Sequence, residues 1–119
     1  MATLADYAVI IDGTATMVRG GTNFFRQTFN LPDTTNPNVP AIFMYRVEAE
    51  NANGLKYTVD LNGKDVLTLV HSSDRFGTIH EVVGANTIHN GENKFQVIAT
   101  GGTGTLKMSD VIIMFQVNA

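Results

Sequence analysis

Residues 55–63 read LKYTVDLNG, and this stretch decides the fold class of the chain. Its apolar residues alternate with polar ones, which is the period of a β-strand that buries one face in a core. The Asn62-Gly63 pair at its end favours a type I′ turn, because both central residues of that turn need positive φ. The sequence therefore predicts a β-hairpin, with residues 66–70 as the returning strand.

The same alternation recurs along the chain, and helical spacing is nearly absent. Gly, Asn, Asp and Thr interrupt the apolar residues about every eight to twelve positions, which is typical of β-sandwiches and barrels. No stretch combines helical spacing of apolar residues with a capping residue before it. About nine strands are predicted, at residues 7–11, 15–18, 23–31, 41–48, 55–61, 66–70, 78–83, 95–99 and 105–117.

Turn residues separate these strands. Hairpin turns are predicted at Asp12-Gly13 and at the glycine-rich residues 101–104. Further turns are predicted at residues 19–21 and 51–54, where glycine and asparagine are concentrated.

The longer connections indicate how the strands are arranged. Residues 32–40 contain three prolines, which lack the amide that a strand ladder needs, so we expect a crossover between two sheets. The apolar set of residues 105–117 changes phase without a breaker, which predicts a β-bulge near Ser109-Asp110. Together these patterns predict an all-β protein, a single antiparallel two-sheet β-sandwich with jelly-roll-like connections over residues 1–119.

Composition excludes several classes of protein. The chain has 119 residues, 44% of them hydrophobic, and no cysteine. That rules out disulfide scaffolds, thiol nucleophiles and cysteine-based metal sites. The eight Lys and Arg residues are scattered and the net charge is −3, so nucleic acid is not an expected partner. No apolar run approaches the roughly 18 residues of a membrane span.

The first residues bear on localisation. MATLAD lacks the basic residues and the long apolar run of a signal peptide. We therefore expect a protein that is cytoplasmic as synthesised, with release or incorporation into a particle as a later step.

Three stretches of the C-terminal half resemble the galactose-binding-like jelly-roll modules found beside polysaccharide-acting enzymes. They are LKYTVDLNG at 55–63, GENKFQV at 91–97 and GTLKMSDVIIMF at 104–115. In such modules a strand ending in Asn-Gly turns back, and a Gly-x-Asn turn starts a later strand. A glycine turn then launches the last long strand through a Ser-Asp step. The resemblance implies a sandwich of the carbohydrate-binding-module type, and it carries no binding residues across.

No catalytic constellation is recognisable. The chain lacks a nucleophile elbow, a phosphate loop and a dinucleotide fingerprint. His71, His80 and His89 are evenly spaced, but on strands and loops that spacing does not bring them together as metal ligands. Glu48 and Glu50 are best interpreted as solvated turn carboxylates. We therefore expect no enzymatic activity.

Two groups of residues are candidates for ligand binding. In the predicted loop at residues 72–77, Asp74 offers an acceptor, Arg75 a planar donor and Phe76 a ring for a sugar. The alternative is that Phe76 tucks under the sheet edge. A second group points away from the predicted core and is a candidate lining for a concave sheet face, or else an ordinary charged surface: Arg26, Arg46 and Asp60.

Asp110 is the candidate metal ligand. At the predicted bulge its carboxylate suits calcium, which takes several oxygen ligands in a flexible shell. The other interpretation is that Asp110 caps the bulge amides. No further cofactor is predicted.

These observations favour a non-catalytic, lectin-like module that recognises carbohydrate. The alternative is a structural subunit of a homo-oligomeric assembly, such as a virion decoration or fibre protein, because sandwich edges and apolar faces must be covered. The expected partners are accordingly a glycan or further copies of the same chain.

Overall fold

A computed structural model describes residues 3–18 and 24–118 of the protein. Within these residues, six antiparallel strands form the fold: β1 (Thr3–Val18), β2 (Phe24–Leu31), β3 (Ala41–Leu61), β4 (Lys64–His71), β5 (Arg75–Val83) and β6 (Gly91–Asn118). The predicted turn at residues 19–21 lies outside the described residues. Over the described part of the chain, no helix is present that is long and apolar enough to cross a membrane.

The two longest strands, β3 and β6, bend and run through both layers of a sandwich. Layer A consists of β1, residues 105–118 of β6, residues 41–50 of β3, and β5, paired in that order. Layer B consists of β2, residues 91–100 of β6, residues 55–61 of β3, and β4, paired in that order. The all-β, antiparallel sandwich is thereby confirmed. The expected count of about nine strands is corrected to six, because the long strands bend without ending.

Two predicted turns are corners within continuous strands. Asn51 and Gly54 take positive φ in β3, and Gly102 and Gly104 do so in β6. The two strands pair with each other on both sides of these residues. The predicted hairpin at residues 101–104 is therefore wrong, because positive φ serves a sharp corner as well as a hairpin.

Asp12-Gly13 is likewise not a hairpin. Strand β1 pairs with β6 from Thr3 to Val18, with register shifts that bracket these two residues, and Gly13 has a φ of 116°. The local sequence signal was correct about positive φ, but the chain uses it for a bulge that keeps the strand in its ladder.

Three predicted connections are confirmed. Asn62 and Gly63, with φ of 53° and 81°, form a two-residue turn that sets Leu61 opposite Lys64. Asp110 has a φ of 51° and coincides with a register shift between β3 and β6, as expected for a bulge. Residues 32–40 cross from layer B to layer A.

The core fills the space between the layers. Phe43 of layer A and Phe95 of layer B are fully buried, with ring centroids 5.7 Å apart. Tyr45 and Tyr57, also buried, meet across the same gap through their hydroxyls. The alternating residues on the other side of each layer remain outside, and these outer faces are where ligands have access.

Candidate ligand-binding face

The outer face of layer B begins with an exposed ring on β2. Phe29 and Leu31 of this strand are buried, so the residues that alternate with them point outward. Phe24 is therefore 52% exposed. The Arg26 guanidinium carbon lies 5.0 Å from the centroid of the Phe24 ring, which is within range of a cation–π contact.

Strand register extends this pair into a row of polar side chains. Arg26 lies opposite Gln96 of β6, Gln96 opposite Asp60 of β3, and Asp60 opposite Asp65 of β4. All four strands of layer B thus place one hydrogen-bonding side chain side by side. The row presents a cation at one end, an amide in the middle and two carboxyls at the other end.

A second row lies beside it, and the two together form the polar face. The Thr58 and Thr68 hydroxyls are 2.9 Å apart, directly across the β3–β4 pair. The polar face consists of the polar residues of these rows, with Phe24 and with Lys94 from the next row: Phe24, Arg26, Thr58, Asp60, Asp65, Thr68, Lys94 and Gln96. The half-buried Ile98 lies between Phe24 and Thr58.

A depression of about 640 Å³ lies at the β2–β6 side of the polar face. It is lined by Arg26, Gln27, Thr28, Lys94, Phe95 and Gln96. Its volume falls within the range of small-molecule sites, which is roughly 300–1,000 Å³. The cations of Arg26 and Lys94 and the amide of Gln96 are therefore available to a ligand seated on the outer face.

The two carboxyls of the polar face are coupled. The Asp65 carboxyl raises the pKa of Asp60 to about 6 through a hydrogen bond, and partial burial and the charge of Asp65 act in the same direction. A hydrogen bond between two carboxyls needs a proton on one of them, so the pair holds a proton in mildly acidic solution. The polar face thus offers both a donor and acceptors at this end.

The structure places the predicted site residues on two opposite faces. Arg26 and Asp60 belong to the polar face, whereas Arg46 lies on the outer face of layer A, opposite Thr78 and Ser109. A single concave face lined by Arg26, Arg46 and Asp60 is therefore wrong. The physical reason is that β3 changes layer between Arg46 and Asp60.

Arg46 sits in a cluster of its own. Its guanidinium carbon is 5.3 Å from the centroid of the Phe76 ring, and its Nη1 is 3.7 Å from Asp110 Oδ2. Phe76 is 68% exposed, so it does not tuck under the sheet edge.

The calcium role proposed for Asp110 stays a prediction. Its carboxylate already faces a cation, and the described residues contain no group of three acidic or histidine side chains suited to a metal.

Asp74 and Arg75 lie at one end of layer A. Asp74 Oδ1 accepts a hydrogen bond from the Ala52 amide at 2.9 Å, which ties the β4–β5 connection to the corner of β3. Arg75 is the first residue of β5 and pairs with Ala49. The predicted loop at residues 72–77 is therefore shorter than expected, and its last three residues are part of the sheet.

The histidines occupy three separate environments. His71 is buried, and its Nε2 lies 3.3 Å from the Tyr57 hydroxyl. Burial lowers the pKa of His71, and the charge of Arg75 adds to the effect. His80 is exposed on β5, and His89 is exposed in the connection before β6, with its Nδ1 2.8 Å from a backbone carbonyl.

Sequence reasoning missed Asp65 and Gln96 of the polar face, and only Asp65 was accessible to it. A two-residue turn at Asn62-Gly63 pairs 61 with 64, so it also indicates Asp65 as the neighbour of Asp60. Gln96 gave no such signal, because its position depends on the pairing of β6 with β3 across a long sequence separation.

No family model and no curated protein matches the sequence of this chain. Its fold does match solved structures. A family 35 carbohydrate-binding module from an environmental isolate has a TM-score of 0.57 and 15% identity, covering 100% of this chain and 98% of that one. The xylan-binding module CBM15 has a TM-score of 0.59 and 10% identity, covering 96% of this chain and 97% of that one.

The same fold occurs inside a much larger protein. Dimeric latent PorU from Porphyromonas gingivalis has a TM-score of 0.74 and 9% identity, covering 98% of this chain. The chain spans only 13% of the length of PorU. At these identities the likeness establishes the fold alone. The fold is a β-sandwich of the carbohydrate-binding-module type, as the resemblance implied, and the assembly alternative stays a prediction.

Proposed function

We propose that this protein is a non-catalytic carbohydrate-binding module and that the polar face is its binding site. The row Arg26–Gln96–Asp60–Asp65, beside the exposed ring of Phe24, is the observation that carries the proposal. The fold shared with the family 35 and xylan-binding modules supports it.

The chemistry of the row suits a sugar. A pyranose presents vicinal hydroxyls, each of which donates and accepts, and a face of C–H groups. Arg26 and Gln96 supply donors for sugar oxygens, and the Asp60 and Asp65 carboxyls supply acceptors for hydroxyl protons. Phe24 supplies an apolar surface for the C–H face.

The spacing of the carboxyls argues against hydrolysis. A glycosidase needs two carboxyl groups at least about 5 Å apart, so that they flank the scissile bond. Asp60 and Asp65 are direct cross-strand neighbours, and Asp65 raises the pKa of Asp60. As direct neighbours on adjacent strands they lie side by side on one face rather than on the two sides of a cleft, and binding without cleavage is the function that we propose.

A glycan array followed by calorimetry with one soluble oligosaccharide tests the proposal. We expect Arg26→Ala and Gln96→Ala each to weaken binding about tenfold or more, since each removes a hydrogen bond to a polar ligand. Phe76→Ala is the matched control, because it removes an exposed ring from the opposite layer.

The outcomes are distinct. Loss of binding in the polar-face variants alone supports the proposal. Loss in Phe76→Ala and Arg46→Ala alone transfers the site to the cluster on layer A that the sequence singled out. An array without any hit, at acidic and neutral pH and with or without calcium, contradicts glycan binding altogether.

A further inference from the structure

Apolar exposure is unequal on the two faces of the sandwich. Among the described residues, eight large hydrophobic side chains are exposed. Six of them lie on the outer face of layer A, namely Tyr7, Val9, Val18, Ile42, Phe76 and Val82. Layer B exposes only Phe24 and Val70. The outer face of layer A is therefore the more apolar of the two, and contiguous exposed apolar side chains are the feature that marks protein–protein interaction sites.

Most of these side chains form one continuous patch, because the strand register aligns them. Tyr7, Met114, Ile42 and Val82 make one row across layer A, and Val9, Ile112, Met44 and His80 make the next. These eight residues are called the apolar patch. None of them is Lys, Arg, Asp or Glu. A depression of about 360 Å³ lies over the β3–β5 side of the patch, and Glu81 of β5 lines it together with patch residues.

Charged side chains adjoin the apolar patch on the same face and largely neutralise one another. Arg46 faces Asp110 at 3.7 Å, and Lys107 contacts Glu50 at 3.1 Å. Together with Glu48, these four residues make two cations and three anions, so their summed charge is −1. A face without a dominant charge meets no strong repulsion from an identical face, so its electrostatics permit self-association.

The dimensions of the face match one side of a dimer interface. Four strands about 4.8 Å apart give a width of about 19 Å, and five rows about 6.8 Å apart give a length of about 34 Å. The resulting area is about 650 Å², within the roughly 600–1,000 Å² that each partner contributes to a standard interface. The apolar patch supplies the two rows at one end of this area, and the paired charges of Arg46, Lys107 and Glu50 lie in the other three rows.

We propose that the outer face of layer A packs against the same face of a second copy, which gives a back-to-back dimer. Sheets that pack face to face bury their facing side chains in a core about 10 Å thick. The two polar faces then point outward, on opposite sides of the dimer. If the proposed function holds, the dimer binds two glycan chains, and binding to a surface of repeated glycans is strengthened by avidity.

Two valines of edge strands provide a matched test of the dimer. Val82 of the apolar patch is 64% exposed, and Val70 on layer B is 58% exposed. Val82→Lys places a charge in the proposed interface, whereas Val70→Lys places the same charge on the opposite face. Because both side chains are exposed, neither change is expected to unfold the protein, which circular dichroism checks.

The measurement is the mass in solution by light scattering and sedimentation, from micromolar to millimolar concentration. For wild type and Val70→Lys we expect twice the 12.9 kDa chain mass. For Val82→Lys we expect dissociation to a single chain, with a dissociation constant raised about tenfold or more by the buried charge.

Other results overturn the proposal. Wild-type protein that stays a single chain at millimolar concentration excludes the dimer and leaves the apolar patch to a different protein partner. A dimer that Val70→Lys disrupts and Val82→Lys does not places the interface on layer B. Neither measurement uses a sugar, so a failure of the dimer proposal can be distinguished from a failure of the glycan-binding proposal.

Discussion

The hydroxyl oxygens of Tyr45 and Tyr57 lie 2.7 Å apart in the middle of the sandwich. Both residues belong to β3, one before its corner and one after it, so the strand hydrogen-bonds to itself across the two layers. Burial raises the pKa of Tyr57 to about 12 and that of Tyr45 further, so both phenols stay neutral over the working pH range. His71 extends the network, with its ring stacked on Tyr57 at a centroid distance of 5.5 Å.

Replacing Tyr57 by Phe is expected to cost about 1–3 kcal/mol of unfolding free energy, because it leaves the buried Tyr45 hydroxyl and His71 ring without their partner. Tyr45→Phe is expected to cost less, since the Tyr57 hydroxyl keeps its contact with His71. Urea unfolding of both single variants and of the double variant measures the coupling energy between Tyr45 and Tyr57. Strict additivity of the two single changes contradicts a shared network.

Asn93 is a fully buried polar residue that holds the connection before β6. Its Nδ2 donates to the carbonyls of His89 and Gly91, and its Oδ1 accepts from the His89 amide and from Asn62 Nδ2. Asn93→Ala leaves these groups unpaired, so we expect a loss of about 1–3 kcal/mol or more.

Hydrogen exchange at the His89 amide locates the effect of Asn93→Ala, because this amide loses its acceptor. Asn30→Ala, which changes an exposed residue of β2, is the control and should shift stability by less than about 0.5 kcal/mol. Equal effects of the two changes show that the buried network does not hold the connection.

Gly102 marks the place where the corners of β3 and β6 cross. A Cβ at this position would come within 2.0 Å of the Gly54 carbonyl oxygen, and φ is +69°. Gly102→Ala is therefore expected to reduce the folded yield sharply or to lower the melting temperature by many degrees. Gly84→Ala, which meets open space at an ordinary φ, should leave both unchanged. Similar yields and melting curves for the two variants show that the crossing is not as close as described.

The raised pKa of Asp60 predicts that the protein loses stability as the pH rises. Its folded-state pKa of about 6 lies above the ordinary value of 3.8, so the folded state binds the proton more tightly than the unfolded chain. The stability gained from this proton is fully present below about pH 4 and is lost as the pH rises through about 6.

Replacing Asp60 by Asn removes the ionisation. We therefore expect Asp60→Asn to melt at a higher temperature than wild type at neutral pH, and the difference to vanish toward about pH 4. Asp60 Oδ1 is buried without a hydrogen-bond partner in the described structure, which is consistent with a penalty on the ionised form. Parallel melting curves at every pH indicate that Asp60 titrates normally.

The local patterns of the sequence predicted the strands well and the topology partly. Alternation in LKYTVDLNG placed Tyr57 in the core, and Asn62-Gly63 formed the predicted type I′ turn. The bulge at Asp110 also followed from a local phase change. The predicted hairpins at Asp12-Gly13 and residues 101–104 failed because a glycine signal reports positive φ and does not report which strand the next residues pair with.

The candidate site shows the same division. Sequence alone identified Arg26 and Asp60 as outward-facing polar residues, since the period of two is a local property of each strand. It placed Arg46 with them, although the corner of β3 puts Arg46 on the other layer. Only the tertiary structure aligned Gln96 and Asp65 with Arg26, and it alone gathered Tyr7, Ile42 and Val82 into one patch, because antiparallel register joins residues that are far apart in the chain.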